Sequence, residues 1–175
     1  MSDVKLRSIL ESDLETIRNW RNSKEVSQYM YTDNIISPEQ QIQWFKKISN
    51  DNSSRYWIIE YDNQAVGVVS ISEISDLYDS CFWGFYIGNT NFRGLGIASK
   101  VEYLILSYVF DTLKLNKLRC EAFSDNKVIN LHEKFGFRRE AYYRNHIKKG
   151  EKYFDVVGLA ILKKEWDILK NNYQQ

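Results

Sequence analysis

A chain of 175 residues fits one domain with a single hydrophobic core, and we expect residues 1–175 to form it without a second domain. Its 24 basic and 23 acidic residues give a formal charge of +1, so no chain-wide field attracts nucleic acid or an anionic membrane. Aromatic residues make up 15% of the chain, which favours a pocket for a small molecule.

The N-terminal half predicts a strand, two helices and a three-stranded meander. Residues 4–9 alternate as a strand does, and Ser12 and Glu15 then have the spacing of a helix capping box. Ser37 is the predicted cap of the second helix, which begins with a proline. Its buried stripe is predicted at Ile42, Phe45 and Ile48, and Trp44 is assigned to the core face as well. Three apolar runs follow and form the meander, which ends at residue 88.

The C-terminal half predicts a crossover unit and a hairpin. A helix from about residue 96 to 112 leads into the strand at 117–123, so the strands on either side of the helix run parallel. A short helix then ends at Gly136, and a long hairpin and a terminal helical turn close the fold. The element order β-α-α-β-β-β-α-β-α-β-β indicates an α/β (α+β) protein.

Cys81 and Cys120 lie inside apolar strand-like runs without the spacing of metal ligands. We expect reduced core residues, with a thiol nucleophile as the weaker alternative. The first residues contain no charged leader followed by an apolar core, and no apolar run reaches the length of a membrane span. The sequence therefore predicts a cytoplasmic protein with no membrane partner.

The stretch NFRGLGIAS, residues 91–99, places a glycine-rich turn between a strand and a helix. Arg93, Gly96 and Ala98 fit the spacing R-x-x-G-x-A, and the unpaired N–H groups of a helix start bind phosphates. A nucleotide-hydrolysing loop needs Gly-Lys-Ser/Thr, and a dinucleotide fold needs a third glycine; neither is present. The turn thus indicates another phosphate compound, although by itself it is also a common way to enter a helix.

Four segments in succession carry a family resemblance: the strand CFWGFYIG, the turn RGLGIA, the strand KLRCEAF and the stretch DNKVINLHEKFGF. Together they resemble the core of the GNAT superfamily of acetyl-CoA-dependent N-acetyltransferases, over about residues 6–162. The resemblance implies a GNAT fold, with a mixed sheet of about seven strands, an antiparallel N-terminal part, splayed parallel central strands and flanking helices. It also implies acetyl-CoA (coenzyme A) as the cofactor.

The resemblance assigns the residues that hold acetyl-CoA. In this family the amides of the turn bind the pyrophosphate, and the splayed strand and an asparagine contact the pantetheine arm. At those positions this chain has Ile87, Arg93, Gly94, Leu95, Gly96, Ile97, Ala98, Ser99 and Asn126. Backbone N–H groups polarise the thioester in this family, so no metal is expected.

Two residues are the implied catalytic groups. Glu121, on the strand after the cofactor helix, is the expected base acting through water, or else a structural hydrogen-bond acceptor; Glu73, Glu102 and Asp155 are weaker candidates. His132 stands where many members carry the tyrosine that protonates the departing thiolate. Imidazole can donate a proton or hold a water, although a histidine here can also only pack beside the cofactor.

The N-terminal third carries a second, finer resemblance. The patterns R-N, V-x-x-x-M-Y-T-D, I-S-x-E and W-F resemble the N-acetyltransferases that act on UDP-4-amino-4,6-dideoxy-N-acetyl-β-L-altrosamine, a step towards pseudaminic acid. It implies a UDP-linked amino sugar as the small-molecule substrate. We expect the protein to be a monomer or homodimer. Arg21 is the implied pyrophosphate ligand, and Met30, Tyr31 and Tyr86 the contacts of the uracil and the sugar. Each of the four also has an explanation as a packing or surface residue.

The fold alone does not select the acceptor, so other functions stay open. Polyamine or aminoglycoside acetylation needs clustered carboxylates, and the stretch SEISDLYDS provides Glu73, Asp76 and Asp79. Acetylation of ribosomal-protein N-termini is an alternative because those enzymes share the R-N helix and the W-F helix. A non-catalytic sensor of acyl-CoA is the alternative from another class.

Overall fold

Residues 4–173 are described by a computed structural model, and within them seven strands form one mixed sheet. The strands are β1 (Val4–Ser8), β2 (Arg55–Tyr61), β3 (Gln64–Ser75), β4 (Ser80–Ile87), β5 (Lys117–Phe123), β6 (Arg138–Lys149) and β7 (Lys152–Leu162). They lie in the order β1-β2-β3-β4-β5-β7-β6. The pairs from β1 to β4 are antiparallel, which confirms the predicted N-terminal meander.

The same part of the chain forms six α-helices. They are α1 (Leu14–Asn22), α2 (Lys24–Ser27), α3 (Pro38–Ser49), α4 (Ile97–Ser107), α5 (Val128–Lys134) and α6 (Lys163–Leu169). A π-helical turn, Tyr108–Thr112, extends α4 to the predicted end of the crossover helix. The short helix α2 was not predicted.

Strands β4 and β5 are parallel and separate after a short paired stretch. Their register covers three positions, which begin at Ser80–Lys117 and end at Phe82–Arg119. Beyond this point β4 stays paired with β3, and β5 stays paired with β7. The two strands therefore diverge within the sheet, which confirms the predicted splay and opens a gap in the middle of the molecule.

The two faces of the sheet carry two apolar clusters, because neighbouring residues of a strand point to opposite sides. Ile59 and Val69 belong to the larger cluster, which includes the buried face of α4. Ile58 and Val68 belong to the smaller cluster, beneath α1 and α3. Helix α1 thus packs on the face opposite to α4, and it borders the gap between the splayed strands.

Cys81 and Cys120 are both free and both belong to the larger cluster. Burial raises the pKa of the Cys81 thiol to about 12, and it also raises the pKa of Cys120 well above its ordinary value. A thiolate is the reactive form of cysteine, so neither side chain is a nucleophile near neutral pH. This confirms the prediction of reduced core residues.

The predicted cap of α3 is confirmed, but its predicted buried stripe is partly wrong. Ser37 accepts a hydrogen bond from the Gln40 N–H group at 3.2 Å, and the Gln40 side chain accepts one from the Ser37 N–H group at 2.9 Å. Ile42 is 46% exposed, whereas Gln41 is buried. The face that packs on the sheet is therefore rotated away from Ile42 and includes Trp44.

At the start of α1 the predicted capping box of Ser12 and Glu15 is wrong. Asp13 instead caps the short 3-10 turn, Glu11–Asp13, that leads into α1, since its Oδ2 atom accepts a hydrogen bond from the Leu10 N–H group at 2.8 Å. Both oxygens of Asp13 also accept hydrogen bonds from the Arg7 guanidinium, at 2.7 and 2.8 Å. This link between β1 and α1 fixes the helix that borders the central gap.

We expect Asp13→Asn to lower the free energy of unfolding by roughly 2 kcal/mol at neutral pH, because it leaves a partly buried guanidinium short of its bidentate partner. The hydrogen bond from Arg7 holds the pKa of Asp13 below its ordinary value. Its stabilising effect is therefore present at neutral pH and is lost as the pH falls through the native pKa, below about 4. Urea unfolding at about pH 7 and about pH 3 measures this.

Asp167→Asn is the matched control, since Asp167 forms an exposed ion pair with Lys163 on the surface of α6. Such pairs contribute little to stability, so this variant should unfold like the wild type at both pH values. A loss in Asp13→Asn that is as large at about pH 3 as at about pH 7 would contradict the role of the charge.

Candidate active site

A cavity of about 1030 Å³ opens where β4 and β5 separate. One group of its lining residues comes from the glycine turn, the start of α4 and helix α5. A second group comes from α1, α2, the loop at residues 30–36 and α3. Pockets for single ligands have volumes of about 300 to 1,000 Å³, so this cavity is as large as the largest of them.

The glycine turn offers unpaired backbone N–H groups to the cavity. Gly94 and Gly96 have φ values of +84° and +76°, in the left-handed region that favours glycine. The first hydrogen bond of α4 joins the Lys100 N–H group to the Gly96 carbonyl at 3.3 Å, so the N–H groups of residues 97–99 remain free, as they do at any helix start. A Cβ atom added at either glycine meets no protein atom within 4 Å, so both glycines border open space. We call the concave surface formed by residues 94–99 the cradle.

This cradle fits the pyrophosphate of a coenzyme, because free N–H groups and the positive end of the α4 dipole face one concave surface. Asn126 adds a further donor: its Oδ1 atom accepts a hydrogen bond from the Val128 N–H group at 3.0 Å, while its amide nitrogen remains for a ligand. The guanidinium of Arg93 is committed elsewhere. It donates to the carbonyl oxygens of Ile87 and Glu25 at 3.0 Å, and so braces the turn against β4 and α2.

His132 is held in the wall of the cavity by a buried carboxylate. Its Nδ1 atom lies 2.9 Å from the Oε1 atom of Glu102, and the exposed fractions of the two residues are 4% and 0%. The ring of Trp83 meets the imidazole edge-on at 5.2 Å, and Phe137 packs at 5.3 Å. Because Nδ1 faces Glu102, Nε2 is the nitrogen left for the cavity.

Glu121 lies in the cavity wall on β5, where it meets the loop that follows α2. Its Oε2 atom accepts a hydrogen bond from the Tyr31 hydroxyl at 2.6 Å. Partial burial and then this hydrogen bond raise the pKa of Tyr31, so the phenol stays a donor at neutral pH. Lys149 on β6 links the end of α2 to the same loop, since its Nζ atom donates to the carbonyls of Ser27 and Met30 at 2.9 and 3.0 Å.

The weaker candidates for the base do not reach the cavity. Glu73 is exposed and pairs with Arg119 at 2.7 Å, and half-buried Asp155 accepts hydrogen bonds from the Tyr142 hydroxyl and the Asn145 N–H group. Glu102 lies behind His132 in the core. None of the three lines the cavity, so Glu121 stays the predicted base.

Arg21 is the cation of the second group of lining residues, and the aromatic residues Trp44, Tyr56 and Tyr86 line the same cavity. Burial raises the pKa of the Tyr56 and Tyr86 hydroxyl groups. The positive charge of Arg21 opposes this effect on both tyrosines. The ring of Trp44 lies edge-on to Tyr56 at 5.4 Å and also lines the cavity. Within residues 4–173 no hydrogen bond or ion pair occupies the Arg21 guanidinium, which leaves its donors for a ligand.

The model of the acetyltransferase (GNAT) domain family matches residues 3–138. The chain belongs to this family. The GNAT enzyme is therefore an acyltransferase that uses acetyl-CoA. This confirms the resemblance to the GNAT superfamily that the glycine turn and its neighbouring segments indicated.

Individual relatives differ in what they act on. An acetyltransferase named PseH, from Campylobacter jejuni subsp. jejuni serotype O:23/36 (strain 81-176), is 32% identical over 77% of this chain and 84% of its own length. Spermidine N(1)-acetyltransferase of Vibrio cholerae is 25% identical over 94% of this chain and 96% of its own. A crystal structure of spermidine N-acetyltransferase from Vibrio cholerae with CoA and spermine superimposes with a TM-score of 0.88 at 25% identity, and covers 93% of this chain and 97% of that one.

The cavity of the GNAT enzyme gathers almost all the predicted site residues. It is lined by Arg21, Met30, Tyr86, Ile87, Arg93, Gly94, Gly96, Ile97, Ala98, Ser99, Glu121, Asn126 and His132. Two predicted residues are absent from this wall: the Leu95 side chain is 51% exposed, and Tyr31 reaches the site through its bond to Glu121. The roles assigned to all of these residues, inside and outside the wall, stay predictions.

Sequence reasoning missed several lining residues of the GNAT enzyme. Trp44 was assigned to the core, and Glu25, Gln41, Tyr56 and Lys127 were not noticed. An aromatic residue has the same pattern in a core face and in a pocket, so only the empty space beside it identifies its role. Between residues 4 and 173 we find no helix long and apolar enough to cross a membrane, and no group of three or more histidine, cysteine or acidic residues that could hold a metal ion.

Proposed function

We propose that the enzyme acetylates the 4-amino group of a UDP-linked amino-dideoxy sugar by direct transfer from acetyl-CoA. The observation that carries this proposal is the unpaired guanidinium of Arg21 among the rings of Trp44, Tyr56 and Tyr86. A guanidinium binds phosphate oxygens bidentately, and aromatic faces receive a base and an apolar sugar edge. The PseH relative, at 32% identity, supports the same acceptor.

Charge in the cavity argues against a polyamine. A polycation needs several carboxylates, and the acidic stretch with Glu73, Asp76 and Asp79 lies outside the cavity wall. The carboxylates that do line the cavity are Glu25 and Glu121, and the second already accepts the Tyr31 hydroxyl. Arg21 adds an opposing charge next to the acceptor space. The spermidine acetyltransferases among the relatives keep polyamine acetylation as the second candidate.

In this proposal the bound acetyl-CoA supplies an acetyl thioester and leaves as a thiol. The residues of this chain have three roles: the cradle at residues 94–99 holds the pyrophosphate, Glu121 takes a proton from the acceptor amine, and His132 gives a proton to the sulfur. The separated edge of β4 exposes backbone N–H groups that can polarise the thioester carbonyl. The Tyr31 hydrogen bond orients the carboxylate of Glu121.

The test mixes the protein with acetyl-CoA and one acceptor at a time, and follows the release of coenzyme A. We expect turnover with UDP-4-amino-4,6-dideoxy-N-acetyl-β-L-altrosamine, and at least about 100-fold lower kcat/KM with spermidine or a basic peptide, since one missing charge contact costs roughly 3 kcal/mol. Turnover of spermidine without turnover of the nucleotide sugar would overturn the substrate. Binding of acetyl-CoA without turnover of any amine would indicate a sensor.

A further inference from the structure

The contact between Glu102 and His132 is a buried acid–imidazole pair inside the largest apolar cluster. Glu102 lies on α4 and His132 on α5, and the Nδ1–Oε1 distance is 2.9 Å. The second oxygen, Oε2 of Glu102, is buried and has no hydrogen-bond partner within residues 4–173. An apolar helix face has no structural need for a carboxylate, because an aliphatic residue packs there without desolvation cost.

Burial limits the charge that the pair can carry. Burial raises the pKa of Glu102, and the hydrogen bond with His132 opposes this effect. A carboxylate with one unpaired oxygen in an apolar core is costly when the pair has net negative charge. These costs favour a pair with no net charge. Such a pair holds two protons, one between Nδ1 and Oε1 and one on Nε2.

We propose that Glu102 is a positioning residue that holds His132 with its Nε2–H group towards the cavity, and that the two side chains share a proton so that this group serves as the general acid. The inference rests on the acid role given to His132 in the proposed function. The amine nitrogen forms its bond to the acetyl carbon as the carbon–sulfur bond breaks, and the electron pair of that bond goes to sulfur. The Nε2 proton moves to the sulfur, the shared proton settles on Nδ1, and the proton that the amine gave to Glu121 returns to the pair through solvent.

The other groups that face the pair do not compete for the proton. Cys120 on β5 and Tyr173 near the C-terminus both feel the charge of Glu102, and burial raises the pKa of each. Both are therefore neutral across the pH range of an assay. The imidazole also contacts the aromatic rings of Trp83 and Phe85 on β4 and of Phe137 before β6.

The kinetic test compares Glu102→Gln with the wild type at each pH, with the same acceptor and acetyl-CoA, so that the protonation of the amine cancels in the ratio of rates. Glutamine keeps the volume but cannot hold the extra proton, and an imidazole without the carboxylate gains its second proton only below about pH 6.5. We expect the ratio of variant to wild-type kcat to fall 10- to 100-fold between about pH 6 and about pH 8.5. A ratio that is constant with pH would mean a merely structural residue and would overturn the proposal.

Glu133→Gln is the matched control, because Glu133 is the next residue on α5 but pairs with Arg139 at the surface. It removes the same charge, and its ratio should stay near one at every pH. Glu102→Leu is the second variant, which keeps the test available if the glutamine variant folds poorly. It should show the same fall with pH.

A second readout needs neither acetyl-CoA nor an acceptor. The chain has two histidines, and His146 is exposed and stacks on Tyr143, outside the cavity wall. His146→Gln therefore leaves one imidazole for 15N NMR. We expect Nε2 of His132 to carry its hydrogen at about pH 7.5; a bare Nε2 at that pH would overturn the proposal. If the NMR result holds and the UDP-amino sugar is not acetylated, the substrate is wrong and the proton-sharing pair stands.

Discussion

Gly96→Ala should weaken the binding of coenzyme A on the order of 100-fold while the protein stays folded. The φ value of Gly96 is +76°, and the added Cβ atom would occupy the cradle beside the free N–H groups of α4. A ligand phosphate displaced from two of these groups loses charge-assisted hydrogen bonds of about 1.5 kcal/mol or more each, which is roughly 100-fold in affinity. Calorimetric titration with coenzyme A measures the change directly.

Gly150→Ala is the control for the backbone strain in this experiment. Gly150 also has a positive φ, +57°, and an added Cβ atom meets nothing within 4 Å, but it lies in the turn between β6 and β7, outside the cavity wall. Both variants should lose about 1–2 kcal/mol of stability, the cost of a left-handed conformation for a residue with a Cβ atom. Equal affinity for coenzyme A in the two variants would show that the turn does not hold its phosphates.

Local signals explain why so much of the fold was predictable. Ser37 and Pro38 are adjacent in the sequence and mark the start of α3, and the glycine turn marks the start of α4. The parallel direction of β4 and β5 then follows from the crossover helix between them. At the start of α1 a local signal failed, since Asp13 is selected by Arg7 on another element and not by helix spacing.

The missing parts of the site depend on contacts between distant residues. Glu102 and His132 are 30 positions apart, and Tyr31 and Glu121 are 90 apart. The sequence named all four residues but assigned Glu102 as a rival base, since nothing in the chain shows that α4 and α5 meet behind the cavity. The acidic stretch at residues 72–80 shows the opposite case: its carboxylates are close in sequence, but Glu73 on β3 and Asp76 and Asp79 on the turn before β4 are exposed and do not line the cavity.

Arg21→Ala should lower kcat/KM for the UDP-amino sugar on the order of 100-fold and leave the affinity for coenzyme A unchanged. The guanidinium lines the acceptor part of the cavity with its donors free, whereas the pyrophosphate cradle of the cofactor lies at the start of α4. Loss of a bidentate contact to a phosphate costs roughly 3 kcal/mol. Steady-state kinetics with each substrate varied in turn separate the two affinities.

The same variant separates the two candidate acceptors by the sign of its effect. A positive charge beside the acceptor attracts a nucleotide sugar and repels a polyamine, so Arg21→Ala should slow acetylation of the first and speed acetylation of the second. Arg18→Ala is the matched control, because Arg18 lies one turn earlier on α1 and is not part of the cavity wall; it should change neither rate by more than about twofold. The opposite assignment would follow if the wild type did not acetylate the nucleotide sugar and Arg21→Ala acetylated spermidine faster than the wild type. The enzyme would then be a polyamine acetyltransferase whose rate Arg21 limits.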